Sequence, residues 1–388
     1  MEAPLNKTFS GWKIVLAVFI GLSVSFWMMC SSLSQSQFTQ ATKGFGTHKW
    51  VDSNKNGEID FNNTHEFRLS EKGAFQKETL TSTFKKITWH TSSFIWLLVS
   101  VLAMISRDLF YILRIRLLTK NKLSWKASTA VILLWEFASA LTPGVVGGST
   151  VAMFLLNREA VPLGKATAIV IATAFMDNLF FVLMIPCLFI FLDNAVLFPG
   201  TESDSLALSW SFWIGFILVF SICLLLYLTL FWFSRLTTKL LIFIFRFPPI
   251  KRWKLPALAW GKDLEHSSVE FQKESFLFWV KVFGFTLFSW ASRCFVINAI
   301  LNAFLNLGLM DNLLVFGKQL VLWLLMLVSP TPGGSGVAEY AFGELLAPFS
   351  SSVILLTTLA FLWRLISYFP YLFVGAIILP SWIKRTAN

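Results

Sequence analysis

The sequence has few charged residues, and its cysteines follow no recognisable pattern. Only 14% of its 388 residues are Asp, Glu, Lys or Arg, whereas soluble globular domains hold roughly 25%. The four cysteines lie in or beside apolar runs and none is part of a Cys-x-x-Cys pair, so neither zinc nor a disulfide network is indicated. The sequence also has no nucleophile elbow, phosphate-binding lysine loop or zinc motif. These absences exclude a soluble globular protein, a disordered chain and a disulfide scaffold.

Long apolar runs make up much of the sequence, and 56% of the residues are hydrophobic. A helix that spans a membrane needs about 20 mostly apolar residues. Six segments satisfy this requirement, namely 12–30, 91–106 with an extension to 113, 166–192, 210–233, 276–309 and 352–380. We therefore predict an all-α membrane protein, a polytopic helical bundle.

The distribution of basic residues predicts how the bundle is oriented. The chain has 32 Lys and Arg against 21 Asp and Glu, and in a membrane protein such an excess marks cytoplasmic loops rather than nucleic-acid binding. The stretches 107–126 and 234–275 are rich in Lys and Arg, whereas the charged residues in 193–209 are all acidic. Lys384 and Arg385 place the C-terminus inside. We predict a multi-pass protein of the cytoplasmic (inner) membrane, with both termini in the cytoplasm and no nucleic-acid partner.

Two glycine-rich breaks interrupt apolar runs that we interpret as arms too short to cross the membrane. Each break contains Thr-Pro-Gly-x-x-Gly, at Thr142–Gly147 and at Thr331–Gly336. The predicted loops place both ends of the first segment inside and both ends of the second outside. The sequence therefore predicts two re-entrant helical hairpins in inverted repeats, an arrangement that points to a transporter's midplane site.

The chemistry of the two breaks favours binding of an anion. Pro143 and Pro332 have no N–H group and interrupt the helix, while the glycines leave backbone amides accessible. Irregular backbone at membrane depth implies a cavity, and the N-terminal ends of the following helices would bind phosphate there. The alternative is that the breaks are kinks for close helix packing. The candidate substrate-binding residues at the breaks are Thr142, Pro143, Gly144, Gly147, Thr331, Pro332, Gly333, Gly334 and Gly336.

The second break continues into a longer motif. Pro330 to Glu339 reads Pro-Thr-Pro-Gly-Gly-Ser-Gly-Val-Ala-Glu, which resembles the Pro-Gly-Gly-x-Gly-x-x-Glu signature of the lysylphosphatidylglycerol synthase transmembrane region, and the resemblance covers about 90–380. At the first break, Val145 and Gly148 replace the Arg and Glu that are usual in relatives. Downstream, Asp177 stands at a position that resembles one where the family has an acidic residue.

The resemblance implies a lipid flippase or another lipid-handling membrane protein. It does not imply aminoacyl transfer, because bifunctional relatives carry that activity in a separate soluble domain. Only Ser381–Asn388 follow the last predicted span, so we expect no enzymatic activity.

Charged side chains inside spans cost at least ~2.5 to 3.5 kcal/mol each, so we expect them to face the interior. They are Glu136, Asp177, Lys281, Arg293, Lys318, Glu339, Glu344 and Arg364. We predict that Arg293 and Arg364 hold a lipid phosphate, because a guanidinium binds two oxygens at once. The alternative is a structural ion pair, for example between Arg364 and Glu339. Glu339 itself either caps the helix that follows the motif or couples protons, and Lys281 is expected to snorkel to the boundary.

A hydrophilic insert, 31–90, resembles a calcium-binding module in part. From Asp52 to Asn63 it matches an EF-hand loop, with oxygen ligands at most of the required positions and Gly57 at the sixth. Asn63 replaces the bidentate Glu, so we expect weak Ca²⁺ binding, of the roughly 10⁻⁴ to 10⁻³ M class. The alternative is a turn that caps itself. The candidate ligands are Asp52, Asn54, Asn56, Glu58, Asp60 and Asn63.

Together these patterns predict three regions: an N-terminal transmembrane helix (1–30), an extracytoplasmic insert (31–90) and a flippase-like domain (91–388). The predicted function is to bind an anionic phospholipid or lipid-linked phosphate and to translocate it through a midplane cavity. Two alternatives remain. One is a non-transporting scaffold that binds a membrane-protein partner through the insert. The other is a membrane enzyme acting on a lipid-linked substrate, for which Glu136 and Asp177 are the candidate pair.

Overall fold

The structure is a computed structural model. It describes residues 36–41, 46–53, 57, 59, 61, 64–79, 82, 89–142, 144–192, 197, 202–232, 254–328, 334, 337–350 and 353–387. The predicted N-terminal span, 12–30, lies outside these residues.

The membrane part is built from α-helices joined mostly by short turns. In chain order they are α1 (Thr91–Leu118), α2 (Trp125–Leu141), α3 (Gly144–Arg158), α4 (Leu163–Phe191), α5 (Glu202–Phe231), α6 (Lys254–Gln272), α7 (Phe276–Phe304), α8 (Leu309–Val328), α9 (Val337–Leu346), α10 (Val353–Ser367) and α11 (Phe369–Ala387). A short 3₁₀ turn, Ala347–Phe349, follows α9.

Within the described part of the chain, six helical segments are long and apolar enough to cross a membrane. They are Thr91–Leu118, Leu163–Phe191, Phe212–Phe231, Phe276–Phe304, Leu309–Met326 and Leu355–Thr386. Five coincide with predicted spans, and the prediction of an all-α polytopic membrane protein is confirmed. The last segment consists of α10 and α11, which are separated by a break at Tyr368.

The two predicted hairpins correspond to two pairs of adjacent helices. Helix α2 contacts α3 on either side of the first break, and α8 contacts α9 on either side of the second. Because α8 includes the candidate span Leu309–Met326, length alone does not distinguish a crossing from a re-entrant arm. The re-entrant geometry of both pairs stays a prediction.

The predicted cytoplasmic loop at 107–126 is shorter than expected. Helix α1 continues to Leu118, so Arg107 and Arg114 lie inside the bundle, 0% and 4% exposed. Each has a carboxylate partner on another helix, which offsets the cost of removing the charge from water. Counting basic residues along the sequence cannot reveal such partners, so it assigned both arginines to the loop.

Two apolar cores lie at different levels of the bundle, with a polar layer between them. Along α4, buried residues at 166–176 belong to one core and those at 180–188 to the other, and Asp177 lies at the boundary. Along α1, Met104 belongs to one core and Tyr111 to the other. The polar layer therefore gathers charges from several helices at one depth.

The insert contains a four-stranded antiparallel sheet that the sequence analysis did not predict. Its order is β1-β4-β2-β3, with β1 at Ser36–Gln40, β2 at Gly46–Trp50, β3 at Phe67–Gly73 and β4 at Phe75–Thr79. The side chains of Phe38, Phe67 and Phe75 form its small core. Strand β1 contacts α10, so the sheet lies against the membrane domain.

Two ion pairs hold helix α6 and the turn that follows it against the membrane helices. Lys165 Nζ lies 2.6 Å from Glu270 Oε2, and Lys120 Nζ lies 2.7 Å from Glu274 Oε1. The hydrogen bond from Lys165 lowers the pKa of the Glu270 carboxyl below its usual value. The first pair fixes α6 beside the first turn of α4, and the second fixes the turn after α6 beside the α1–α2 turn.

A glycine at the crossing of α11 and α2 provides a test of the packing. A Cβ at Gly375 would lie 2.3 Å from Phe137 Cγ and 2.4 Å from its Cβ, so the helices have to separate to accept it. We expect Gly375→Ala to lower the free energy of unfolding by about 1 to 3 kcal/mol. The matched control is Gly284→Ala, because a Cβ there meets nothing within 4 Å and alanine favours the helix. Thermal unfolding in detergent would contradict the packing if both variants behaved alike.

Candidate functional site

A cavity of about 320 Å³ lies where the two breaks approach the polar layer. Thr142 from the first break and Gly334 from the second both line it. Arginine, carboxylate and tryptophan side chains from the surrounding helices form the rest of its wall. The structure thus places the two breaks of the sequence at one cavity.

The first break is a close approach of two helices. Thr142 ends α2, and its hydroxyl donates to the carbonyl of Ala138 at 2.7 Å. A Cβ at Gly147 would lie 2.4 Å from Thr142 Cβ, and one at Gly148 would lie 2.0 Å from Ser139 Oγ. These positions need glycine because the start of α3 packs directly on the end of α2. Pro143 lies outside the described residues, and α3 begins at Gly144.

At the second break, Gly334 adopts a left-handed backbone conformation with φ +68°, which favours glycine. Its carbonyl accepts from the amide of Ala338 at 2.8 Å, close to the start of α9. A Cβ at Gly334 would lie 3.0 Å from Met326 Cε. Four predicted residues of this break lie outside the described part of the chain: Thr331, Pro332, Gly333 and Gly336.

Arg107, which is itself fully buried, is the centre of an ionic cluster that the sequence analysis missed. Its Nη1 lies 2.9 Å from Asp108 Oδ1, and its Nη2 lies 2.6 Å from Glu136 Oε1. The Tyr371 hydroxyl accepts from Arg107 at 2.8 Å and donates to Asp108, also at 2.8 Å. Two carboxylates therefore share one guanidinium. Of the two, Glu136 lies on the cavity wall.

Asp177, a predicted site residue, is bound by an arginine. Arg114 Nη1 and Nη2 lie 2.6 and 3.2 Å from the two carboxylate oxygens of Asp177. The indole N–H of Trp290 donates to the same carboxylate at 3.0 Å. The Tyr111 ring lies between Arg114 and Arg107, 4.6 Å from each guanidinium carbon. Arg114 and Asp177 form a neutral pair on the cavity wall.

Arg364 and Glu339 form the ion pair that the sequence analysis raised as an alternative. Arg364 Nε donates to Glu339 Oε1 at 2.8 Å. Because α9 begins at Val337, Glu339 is its third residue, as the motif predicted. The guanidinium lies near the rings of Trp363 and Tyr368, at 5.0 and 5.1 Å. Arg364 lines the cavity with its charge already balanced.

Arg293 differs from the other arginines. Among the described residues no carboxylate lies in ion-pair contact with it, and its buried Nε has no hydrogen-bond partner. The guanidinium carbon is 3.9 Å from the centre of the Trp323 ring. On the same wall, the hydroxyl of Thr173 is also buried and has no hydrogen-bond partner among the described residues. The cavity thus offers a positive charge and an unused hydroxyl.

The other predicted intramembrane charges do not line the cavity. Lys318 is 1% exposed, and its Nζ has no hydrogen-bond partner within the described part of the chain. Lys281 and Glu344 are exposed. The expectation that Glu344 faces the interior is therefore wrong, because it lies in the last turn of α9 and reaches the end of that helix.

The calcium-like loop is only partly described. The amide of Gly57 donates to Asp52 Oδ2 at 3.0 Å, Gly57 has φ +73°, and Ile59 packs on the core of the sheet. The described residues contain no group of three His, Cys, Asp or Glu that could hold a metal ion. The remaining candidate ligands lie outside the described residues: Asn54, Asn56, Glu58, Asp60 and Asn63.

One signal in the sequence could have identified the missed arginines. Arg107 and Arg114 are seven residues apart, which places them on one face of a helix, and Tyr111 lies on that face between them. Such spacing inside an extended apolar run favours an interior polar face over a loop.

Comparisons with known proteins agree with this architecture. The model of a family described as the lysylphosphatidylglycerol synthase TM region matches residues 75–375. This range includes every residue that lines the cavity. A UPF0104 membrane protein of Archaeoglobus fulgidus is 25% identical over 314 residues, which cover 78% of this chain and 89% of that protein. No solved structure matches the chain.

Substituting two of the arginines would separate structural from binding roles. We expect Arg114→Gln to lower the free energy of unfolding by about 3 to 5 kcal/mol, because Asp177 would keep a charge without its partner. Arg293→Gln loses a cation–π contact, worth at most about 2 kcal/mol, and breaks no ion pair. Thermal unfolding in detergent compares the two. Equal losses would contradict the distinction.

Proposed function

Because the chain belongs to the lysylphosphatidylglycerol synthase TM region family, we propose that it binds the phosphate of an anionic phospholipid or lipid-linked phosphate in the cavity and moves it across the membrane. The observation that carries this proposal is Arg293, a cation on the cavity wall with no ion-pair partner in the described structure. A guanidinium removed from water gains most from a phosphate, which accepts two parallel hydrogen bonds.

The surroundings of Arg293 suit this role. Contact with the Trp323 ring at 3.9 Å stabilises the cation without neutralising it. The first turns of α3 and α9 have backbone amides without intrahelical partners, and their helix dipoles favour negative charge at those ends. Thr142 and Gly334, one from each break, line the same cavity as Arg293, so the field of these helix ends would favour a phosphate there.

The size of the cavity limits what enters it. A volume of about 320 Å³ lies at the lower end of the range for small-molecule sites. It can hold a phosphate with a small headgroup, whereas two acyl chains need more room and would stay in the bilayer. Only the headgroup would then pass through the cavity, while the acyl chains follow it through the bilayer.

Alternating exposure of this cavity would complete transport. The two breaks come from separate halves of the chain, as in transporters built from repeats around a central site. The charge pattern supports a cytoplasmic-membrane location with both termini inside. In this arrangement the headgroup would enter from one leaflet and leave to the other.

The two alternative functions have less support. For an enzyme, Glu136 and Asp177 would have to act on the substrate, but both are engaged by arginines, Arg107 and Arg114. For a scaffold, the insert would carry recognition, which would leave the unpaired Arg293 and the shared cavity without a role. We therefore propose transport without a catalytic step.

Lipid movement in proteoliposomes tests the proposal. We expect the protein to transfer a fluorescent phosphatidylglycerol between leaflets but not the matching phosphatidylcholine. Arg293→Gln should slow transfer at least about tenfold, since a charge-assisted hydrogen bond is worth about 1.5 to 3 kcal/mol. Arg68→Gln, at an exposed arginine of the insert, is the matched control and should leave the rate unchanged. Equal rates for both lipids, or for both variants, would refute the assignment.

We also propose that the insert binds Ca²⁺ weakly. The hydrogen bond from Gly57 to Asp52 and the left-handed Gly57 provide the turn that a calcium loop needs at its sixth position. The oxygen-rich sequence around them is suited to a hard cation. Bound Ca²⁺ would then tie the loop between β2 and β3 to the sheet.

Thermal unfolding of the full chain with and without Ca²⁺ tests this site. At about ten times the dissociation constant, bound Ca²⁺ adds about 1.4 kcal/mol, and Asp52→Asn should remove that gain. Glu71→Gln, at an exposed carboxylate of β3, should keep it. A similar gain from Mg²⁺, or one that survives Asp52→Asn, would count against a calcium loop.

A further inference from the structure

The charges around the cavity are balanced before any lipid binds. Arg114 and Asp177 form one neutral pair, and Arg364 and Glu339 form another. The remaining groups are two arginines, Arg107 and Arg293, and the two carboxylates that share Arg107, Asp108 and Glu136. Arg293 is thus neutralised only at longer range, by Glu136 on the same cavity wall.

Binding of an anionic headgroup at Arg293 would disturb this balance. The phosphate would add one negative charge to a group that is already neutral, within a polar layer between two apolar cores. An uncompensated charge there is costly, because the surrounding apolar cores are a medium of low dielectric. A proton on one of the two carboxylates restores neutrality at the least structural cost, since Arg107 keeps the other as its partner.

We propose that binding of the anionic lipid is coupled to the uptake of one proton by the Asp108–Glu136 pair. This inference rests on the proposed function and adds a driving force to it. The proton comes from the aqueous phase and adds to a carboxylate oxygen of the pair, which becomes a neutral carboxyl group. No bond to the lipid forms or breaks, and no electron is transferred. Lipid and proton enter the cavity together, with no net charge.

The pair is well placed for this role. Glu136 lies on the cavity wall, so a proton can reach it by the same route as the headgroup. Asp108 is held by the Tyr371 hydroxyl as well as by Arg107, so it keeps a partner in either protonation state. The titratable or charged groups that face the pair are Arg107, Tyr111 and Arg114 of α1, Asp177 of α4, Arg293 of α7, Arg364 of α10 and Tyr371 of α11. Of the arginines around the cavity in the described structure, Arg107 is the one that contacts two carboxylates.

Calorimetry in two buffers of different ionisation enthalpy measures the coupling directly. Short-chain phosphatidylglycerol is titrated into the full chain in detergent, because its phosphodiester keeps one negative charge throughout the pH range of the experiment. We expect the wild type to take up close to one proton per lipid in the coupled range. Its affinity should fall up to about tenfold for each unit by which the pH rises.

Two variants and a control sharpen the test. In Asp108→Asn or Glu136→Gln the resting cluster carries one excess positive charge, which the lipid itself neutralises. Proton uptake should disappear in both, and the affinity should become independent of pH and exceed that of the wild type at high pH. Glu344→Gln, at an exposed carboxylate away from the cavity, should behave as the wild type.

The outcomes separate this inference from the proposed function. Lipid binding by the wild type without proton uptake would overturn the coupling and leave the lipid site standing. Uptake that persists in both carboxylate variants would also overturn it. Failure of the wild type to bind phosphatidylglycerol would remove the proposed function and this inference with it. The wild-type measurement does not depend on whether the variants fold.

Discussion

The cost of placing arginines inside an apolar bundle governs the structure around the cavity. Three of the four arginines there contact carboxylates on another helix: Glu136 for Arg107, Asp177 for Arg114 and Glu339 for Arg364. Each pair fixes two helices at one depth, because a buried charge that loses its partner costs several kcal/mol. The polar layer, and with it the boundary between the two apolar cores, follows from these pairings. Arg293 has no such partner in the part of the chain that the structure describes, and it lines the cavity.

Much of the membrane architecture could be predicted from composition and local pattern. The length of the apolar runs predicted α1, α4, α5, α7 and the pair α10–α11. This works because a spanning helix is one continuous apolar segment, which can be read directly from the sequence. The two Thr-Pro-Gly breaks indicated a common cavity because proline and glycine act on the backbone where they stand. The pairing of Arg364 with Glu339 was predicted as an alternative, because the membrane segments contain few charges of opposite sign that could pair.

What escaped prediction depends on distant contacts. Arg107 and Arg114 were assigned to a loop because their neutralising carboxylates lie on other helices, where local charge counting does not reach. The sheet of the insert was missed because its strands are short, and its core consists of three phenylalanines spread over the segment, Phe38, Phe67 and Phe75. That Arg293 contacts no carboxylate of the described residues emerges only once the partners of Arg107, Arg114 and Arg364 are known.

The interruption of the last span at Tyr368 has a mechanical consequence. On one side of it, α10 is attached to the second hairpin through the Arg364–Glu339 pair and the stacked rings of Trp363 and Phe342. On the other side, α11 is attached to the first hairpin region through the Gly375–Phe137 contact and the hydrogen bond from Trp382 to Glu159. The last span therefore has two helical arms, and each arm packs against a different one of the two helix pairs. Because both arms belong to one continuous segment, we expect a displacement of one helix pair to reach the other through it, which would link the movements on the two sides of the cavity.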